Sequence, residues 1–271
     1  MQWTRYWRAA DRPVEAMHAH FTSHRYHRHS HDAYSFGVTE EGVQAFRCRG
    51  GTHTSAAGMV LAFNPDEVHD GRTATEDGFT YRIVHIGPSL VAELLPRLPL
   101  FQDPVVHSPR LADALRNLHT ALQEGTHLAR DEHLMHAVRA MATHVMPLRT
   151  TTPAPGNPSA ARDLIEAHYA DDVTTEELTE ATGLSRFALY RAFRAEYGLS
   201  PSDYQRQRRL RAARRLLAAG RPAAEAAALT GFADQAHLTR WFRRCYGITP
   251  AAYARAAAAP EATAPAEGPY G

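Results

Sequence analysis

The stretch GFADQAHLTRWFRRCYGITPAAYAR, residues 231–255, decides how the rest of the chain is read. Spaced as a helix, Leu238, Phe242 and Cys245 fall on one face with Trp241 beside them. Gln235, Ala236, Thr239, Arg240 and Arg243 fall on the other face. The first face can pack into a small core. The second offers amide, hydroxyl and guanidinium groups that suit base edges and phosphate oxygens. Gly231 and Phe232 stand just upstream, where a helix-turn-helix needs its turn glycine. A surface helix with solvated arginines would look the same, so one copy does not decide.

A second copy does. Leu189, Phe193, Tyr197, Gly198, Pro201 and Tyr204 recur at a constant offset as Leu238, Phe242, Tyr246, Gly247, Pro250 and Tyr253. Upstream, Thr182-Gly183-Leu184 mirrors Thr230-Gly231-Phe232, with one residue inserted between turn and helix in the second copy. Such a repeat signals one supersecondary unit used twice. The units read 175–182, turn, 185–197, and 222–230, turn, 233–246. Two recognition helices in one chain can enter successive major grooves, about 34 Å apart.

On these residues the segment 160–255 resembles the AraC (arabinose-regulator) family of bacterial transcription regulators. The resemblance implies a DNA-binding transcription factor, with base contacts at Phe187, Tyr190 and Arg191, then at Gln235, Ala236, Thr239 and Arg240. From the outward faces alone the candidates are Arg186, Phe187, Tyr190, Arg191 and Arg194, with Gln235, Ala236, His237, Thr239 and Arg240. Arginine suits guanine, glutamine suits adenine, and aromatic or methyl contacts suit thymine. Phe187 and Tyr190 are bulky, so the first helix is expected to read DNA more loosely. Leu189, Phe193, Leu238, Trp241 and Phe242 are assigned to core. The helix over 203–219 carries Arg206, Arg208, Arg209, Arg211, Arg214 and Arg215, which face either phosphates or water. In the family this helix holds the two units at a fixed separation.

The net charge of +1 hides an asymmetry. Lysine is absent and all 30 basic residues are arginine. Residues 186–255 hold 14 of them against four acids, Glu196, Asp203, Glu225 and Asp234, so that segment is near +10. This is the electrostatic footprint of nucleic-acid binding. Two cysteines, Cys48 and Cys245, cannot make a disulfide framework or a four-cysteine zinc site. The N-terminus MQWTRYWRAADRP has no apolar run, so neither signal peptide nor membrane span is indicated, and a cytoplasmic location is expected.

In the first half, 33–38, 43–47, 58–63 and 79–86 read as strands, punctuated by Glu41-Gly42, Gly50-Gly51, Asp70-Gly71 and Asp77-Gly78. Many short strands favour a sandwich or barrel. HRHSHDAYSFGVTEEG and GMVLAFNPDEVHDG resemble the cupin-type barrel that precedes the DNA-binding half in many family members. Helical patterns follow over 90–98, over 110–123 with Leu111, Leu115, Leu118 and Leu122, and over 133–146 with Leu134, Val138, Met141 and Val145. The last two suit a helical pair that packs on the barrel and also dimerises, or else two stripes of intramolecular core. The expected fold is α+β with two domains: a cupin-like barrel with a helical pair over 1–149, and an all-α double helix-turn-helix over 160–255. A linker over 150–159 and a disordered tail over 256–271 complete the chain.

Of 17 histidines, 15 precede residue 159. His27, His29 and His31 alternate and would share one face of a strand. His29, His31 and His69 could hold a metal through neutral nitrogens. A metal-binding cupin usually adds a carboxylate after its His-x-His, and Tyr34 and Ser35 occupy that place here. The favoured reading is a polar pocket for a small-molecule effector, lined by His29, His31, Tyr34, Asn64, His69, Tyr81 and His85, with no cofactor. Several of these histidines could equally be satisfied structural residues. A metal- or pH-responsive regulator is the alternative. A cupin oxygenase is set aside, because the carboxylate is missing and a DNA-binding half would have no purpose. No phosphate loop or nucleophile motif stands out. The implied partners are double-stranded DNA, an effector, a second copy of the chain and, for an activator, RNA polymerase.

Overall fold

The computed structural model describes residues 2–9, 11–95, 97–144 and 158–258. Val145, Met146, most of the expected linker (150–157) and the tail beyond 258 lie outside them. Packing divides the chain into two units, one of segments 1–25, 31–148 and 255–271, the other of 26–30 and 149–254. Among the described residues no helix is long and apolar enough to cross a membrane.

The first unit opens with two strands that the sequence reading lacked, β1 (Trp3–Arg8) and β2 (Val14–Phe21). In β2, Met17, Ala19 and Phe21 are buried on one face, while His18 and His20 hold alternate positions on the other. Those two imidazoles blunt the apolar signal of the segment. After β3 (Arg25–His29), most of which is counted with the second unit, follow β4 (Tyr34–Cys48), β5 (Gly51–Ala56), β6 (Val60–Phe63), β7 (His69–Thr73), β8 (Phe79–Ile86) and the short β9 (Val105–Val106). Hydrogen-bonded neighbours run β1-β2-β8-β4-β6-β9, all antiparallel.

Glu41-Gly42, expected as a turn, lies inside β4, a single strand of 15 residues. A register shift between Thr39 and Glu41 absorbs Glu40, and Gly42 takes φ +71°. A bulge bends a strand and raises its twist. Here it lets the first half of β4 pair with β6 and β8, and the second half with β5 and β7. Asp70-Gly71 likewise falls inside β7, where Asp70 accepts a hydrogen bond from the Arg47 amide at 2.7 Å rather than turning the chain.

Three helices cover one sheet face: α1 (Pro88–Leu94), α2 (Pro109–Glu124) and α3 (His127–Ala142). Leu111, Leu115, Leu118, Leu134, Val138 and Met141 pack with Val14, Ala16, Phe36, Val84 and Ile86 in one core. The described residues of the two helical stripes therefore pack within this unit. Thr126 caps α3 through the Ala129 amide at 3.2 Å, which starts that helix earlier than its apolar pattern suggests.

The second unit is helical: α4 (Ser159–Ala167), α5 (Thr175–Thr182), α6 (Arg186–Tyr197), α7 (Pro201–Ala218), α8 (Ala223–Leu229) and α9 (Gln235–Tyr246), with α10 (Pro250–Ala258) beyond. The repeat is visible in its geometry. Ser185 and Asp234 cap α6 and α9, and Gly198 and Gly247 end them at φ +71° and +73°. Phe193 meets Tyr197 and Tyr204 at ring separations of 4.6 and 5.5 Å; Phe242 meets Tyr246 and Tyr253 at 4.8 and 5.7 Å. One aromatic triad anchors each recognition helix to the helix that follows it.

Candidate nucleic-acid interface and ligand residues

The buried edge of α6 is Leu189 and Phe193, and that of α9 is Leu238, Phe242, Cys245 and Tyr246. Helical spacing then turns Arg186, Phe187, Arg191 and Arg194 to solvent on α6, and Gln235, Ala236, Arg240 and Arg243 on α9. Phe187 is 75% exposed, and the Arg191 guanidinium lies over its ring at 5.3 Å from the centroid. An exposed aromatic ring carrying a cation offers a stacking or methyl contact beside a phosphate or guanine donor. Tyr190 and Thr239 are half-buried.

Two of the expected roles change. His237 turns back along its own helix: the Trp241 indole N–H donates to His237 Nε2 at 3.0 Å, and Phe232 meets the imidazole edge at 5.4 Å. Burial, and then Arg240, lowers the His237 pKa, which keeps Nε2 free to accept that bond. Trp241, expected in the core, is only half-buried. It is held between cations instead, with Arg206 3.8 Å and Arg244 5.1 Å from its ring centroid.

The arginines of α7 divide differently from either expectation. Only Arg215 of the six is exposed. Arg208 pairs with Glu166 at 2.6 Å, Arg211 donates to the Ser30 hydroxyl at 2.8 Å, and Arg214 lies over the rings of Tyr246 and Tyr253 at 4.9 and 5.2 Å. Arg209 spans the two helix-turn-helix units. It donates to the carbonyl oxygens of Tyr169 at 2.6 Å and Asp171 at 2.7 Å ahead of α5, and of Gly231 at 2.7 Å in the second turn. These arginines staple the scaffold, which leaves the exposed faces of α6 and α9 as the candidate DNA contacts.

In the first unit, the expected effector residues separate into two groups. His31, His69, Tyr81 and His85 lie on the side of the sheet away from the helices. The His31 ring is 5.3 Å from that of His69 and 4.5 Å from that of His85, and His69 stacks on Phe63 at 3.9 Å. His85 Nδ1 meets the Ser35 hydroxyl at 2.8 Å. Burial pushes the His69 pKa down to about 4, so its imidazole is neutral. Tyr34 faces the helices, 1% exposed, and its hydroxyl donates to the Pro99 carbonyl at 2.9 Å. Asn64 is satisfied by Phe101, donating to its carbonyl at 3.0 Å and accepting from its amide at 2.9 Å. Tyr34 and Asn64 thus hold loops. His29, counted with the second unit, is buried, with Nδ1 at 2.7 Å from the His27 carbonyl.

Comparison with known proteins agrees with this geometry. The family model for an AraC-like ligand binding domain matches residues 13–138, and one for a helix-turn-helix domain matches residues 178–256. The chain belongs to the AraC family. Like other AraC-family members it is a transcription regulator with a ligand-binding first half and a DNA-binding second half. It is similar to an uncharacterized HTH-type transcriptional regulator, YbfI of Bacillus subtilis (strain 168), with 29% identity over 240 residues, 83% of this chain and 86% of that one. RipA of Corynebacterium glutamicum, an HTH-type transcriptional regulator, shares 36% over 101 residues, 37% of this chain and 30% of its own. The fold matches ToxT of Vibrio cholerae O395 with a TM-score of 0.55 at 9% identity, covering 95% of this chain and 98% of that one.

Sequence reasoning missed a second set of residues in the AraC ligand-binding half. Trp3, His18, His20, Glu41 and Arg82 line a cleft of about 680 Å³. The alternation of His18 and His20 was the available signal.

Proposed function

We propose that this AraC-family chain is a dimeric, effector-responsive activator that reads two adjacent blocks of DNA through α6 and α9. The observation that carries this reading is the exposed Arg/Gln face of α9 and the exposed Arg/Phe face of α6, on helices that both pack against α7 and whose units are joined through Arg209. Arg186, Phe187, Arg191 and Arg194 contact the first block, with Tyr190 at its edge. Gln235, Ala236, Thr239 and Arg240 contact the second, where each bidentate pair discriminates by about 1–3 kcal/mol. Effector bound among His31, His69, Tyr81 and His85 favours the arrangement that occupies both half-sites, by as much as it binds that arrangement more tightly. RNA polymerase is the further partner.

Selection of full-length protein on a randomised duplex library at fixed physiological salt tests the reading. Two enriched blocks about one helical turn apart are expected. Enrichment of a single block leaves α6 as a backbone anchor, and no enrichment with or without candidate effectors removes the reading.

The neighbouring ligand atoms of His31 and His69 favour a second reading, a metal-responsive regulator. Purified protein would then carry stoichiometric zinc, nickel or iron. A response that survives replacement of His31 and His69 excludes it.

A further inference from the structure

We infer that residues 26–30, from the first half of the sequence, complete the second DNA reader. They hold α9 at a fixed angle on α7, with His27 and Ser30 as positioning residues. The inference rests on the proposed two-block reading by α6 and α9, and needs neither effector nor a second copy.

Packing counts Tyr26–Ser30 with the helical unit, although its neighbours in sequence on both sides belong to the sheet-rich unit. The contacts are polar and buried. Gln207 Nε2 donates to the Ser30 carbonyl at 2.9 Å, and Arg211 Nη2 to the Ser30 hydroxyl at 2.8 Å. Ser30, Gln207 and Arg211 are all buried. An amide and a guanidinium at that depth are costly to leave without acceptors, so α7 is built to receive this segment.

The same stripe of α7 receives α9. Gln207, Arg211 and Arg214 recur at i, i+4 and i+7 and share one face. Gln207 Nε2 reaches the hydroxyl of Tyr246, the last residue of α9, at 3.5 Å, and the Arg214 guanidinium lies over that ring at 4.9 Å. His29 stands edge-on to the Tyr246 ring at 6.5 Å. Farther back along α9, His27 stands edge-on to Trp241 at 5.0 Å, on an indole whose face Arg206 covers at 3.8 Å. Arg206 is itself held by Asp203 at 2.5 Å. The helix is thus gripped at two places, each time from α7 and from residues 26–30 together.

The internal repeat shows that this grip is particular to the second reader. At the offset of the repeat, Trp241 stands where α6 has Ala192, and the buried Tyr246 stands where Tyr197 is only half-buried. Leu238 and Phe242 already anchor α9 as Leu189 and Phe193 anchor α6, so the added contacts are not needed to bury the helix. They fix its angle. A helix pinned along one apolar edge can roll, and a roll of about 10° carries a side-chain tip at about 6 Å radius through about 1 Å. A bidentate contact tolerates little more than that. Because α6 and α9 both pack against α7, the angle of α9 sets the separation at which the two helices meet their blocks.

The test is titration of full-length protein, at fixed salt, with duplexes whose two selected blocks keep their spacing or lie one base pair closer or farther apart. Melting is followed alongside. The parent should favour one spacing by about tenfold or more. His27→Ala, and Gln207→Met, which withdraws the donor to Ser30, should each cut that preference to about threefold or less, with the preferred bases of both blocks unchanged. His27→Phe keeps an aromatic edge on the indole and should keep the parent's preference. Thr174→Ala, which removes the capping box of α5 in the other reader, should lower melting and leave the preference intact. His27 is half-buried, so His27→Ala decides alone where Gln207→Met does not fold. Variants that melt lower yet keep the parent's spacing preference overturn the inference and leave residues 26–30 as a stabilising segment. A parent that shows no second block removes the two-block reading, and this inference with it. A parent that shows both blocks, matched by its His27 and Gln207 variants, removes this inference alone.

Discussion

The two helix-turn-helix units share a frame and differ at the turn. Both recognition helices begin at a side-chain cap, end at a left-handed glycine and lean on an aromatic triad. The first turn is free: a Cβ at Gly183 (φ +66°) would meet nothing within 4 Å. The second is clamped: a Cβ at Gly231 (φ +76°) would overlap the Ala170 carbonyl oxygen and come 3.0 Å from the Arg209 guanidinium carbon. The first turn thus leans on no other segment at its glycine, and α5 is held by its own Thr174/Glu177 capping box. The second unit is fitted against the first, and its turn is part of the joint between them. Duplicated units do not have to carry duplicated duties.

Exchange of the two glycines gives the largest expected effect. Gly183→Ala costs only left-handed strain, about 1–2 kcal/mol. Gly231→Ala adds a backbone overlap that only a shift of the joint relieves, so about 3 kcal/mol or more is expected. Urea midpoints of the two variants measure the difference. Equal costs would mean that the second turn does not bear on the first unit.

Next in size is the joint itself. Arg209→Ala leaves three carbonyl oxygens without their guanidinium donor, worth about 2 kcal/mol in total after water replaces part of it. The informative readout is spacing. With duplexes whose two blocks are set one base pair closer or farther apart, the parent should prefer one spacing and Arg209→Ala should tolerate neighbours within a fewfold. Arg209→Lys should behave like alanine, because a single ammonium cannot reach three carbonyls in fork geometry. Uniform loss at every spacing would reduce Arg209 to a stability residue.

How much of this could be read beforehand follows from the same contrast. Within one helix-turn-helix, spacing along the chain fixes the faces, so Leu189, Phe193, Leu238 and Phe242 were legible as core and Arg186, Arg191, Gln235 and Arg240 as surface. What joins the units was not legible, because an arginine that binds three carbonyls looks like one that faces phosphate. Trp241 and His237 were misjudged for the same reason: their partners, Arg206 and each other, depend on rotamer and tertiary approach. In the first half, β2 was hidden by histidines on alternate positions. Glu41-Gly42 read as a turn because a bulge and a turn call for the same residues. The cleft needed register across four strands, which no local pattern carries.

Readout should also differ between the units. Arg240→Ala is expected to erase about 1–3 kcal/mol of preference at one base of the second block and leave the first block unchanged. Phe187→Ala should trim about 1 kcal/mol or less in the first block, at a thymine, since a methyl or stacking contact discriminates less than a bidentate pair. Selection profiles of the two variants against the parent show this directly. Profiles that flatten equally in both blocks would erase the contrast between a sharp α9 and a loose α6.

The smallest effect separates reading from support inside α9. His237 lies on the outward side by spacing, yet its Nε2 is committed to the Trp241 indole. His237→Gln can keep an acceptor for that N–H, so stability should fall by less than about 1 kcal/mol and base preference should not move. His237→Ala removes the acceptor and loosens Trp241 between Arg206 and Arg244, so affinity should fall modestly for every sequence alike. A change of preferred base in either variant would put His237 in the groove, and would mean that Trp241 gives up its partner when DNA is bound.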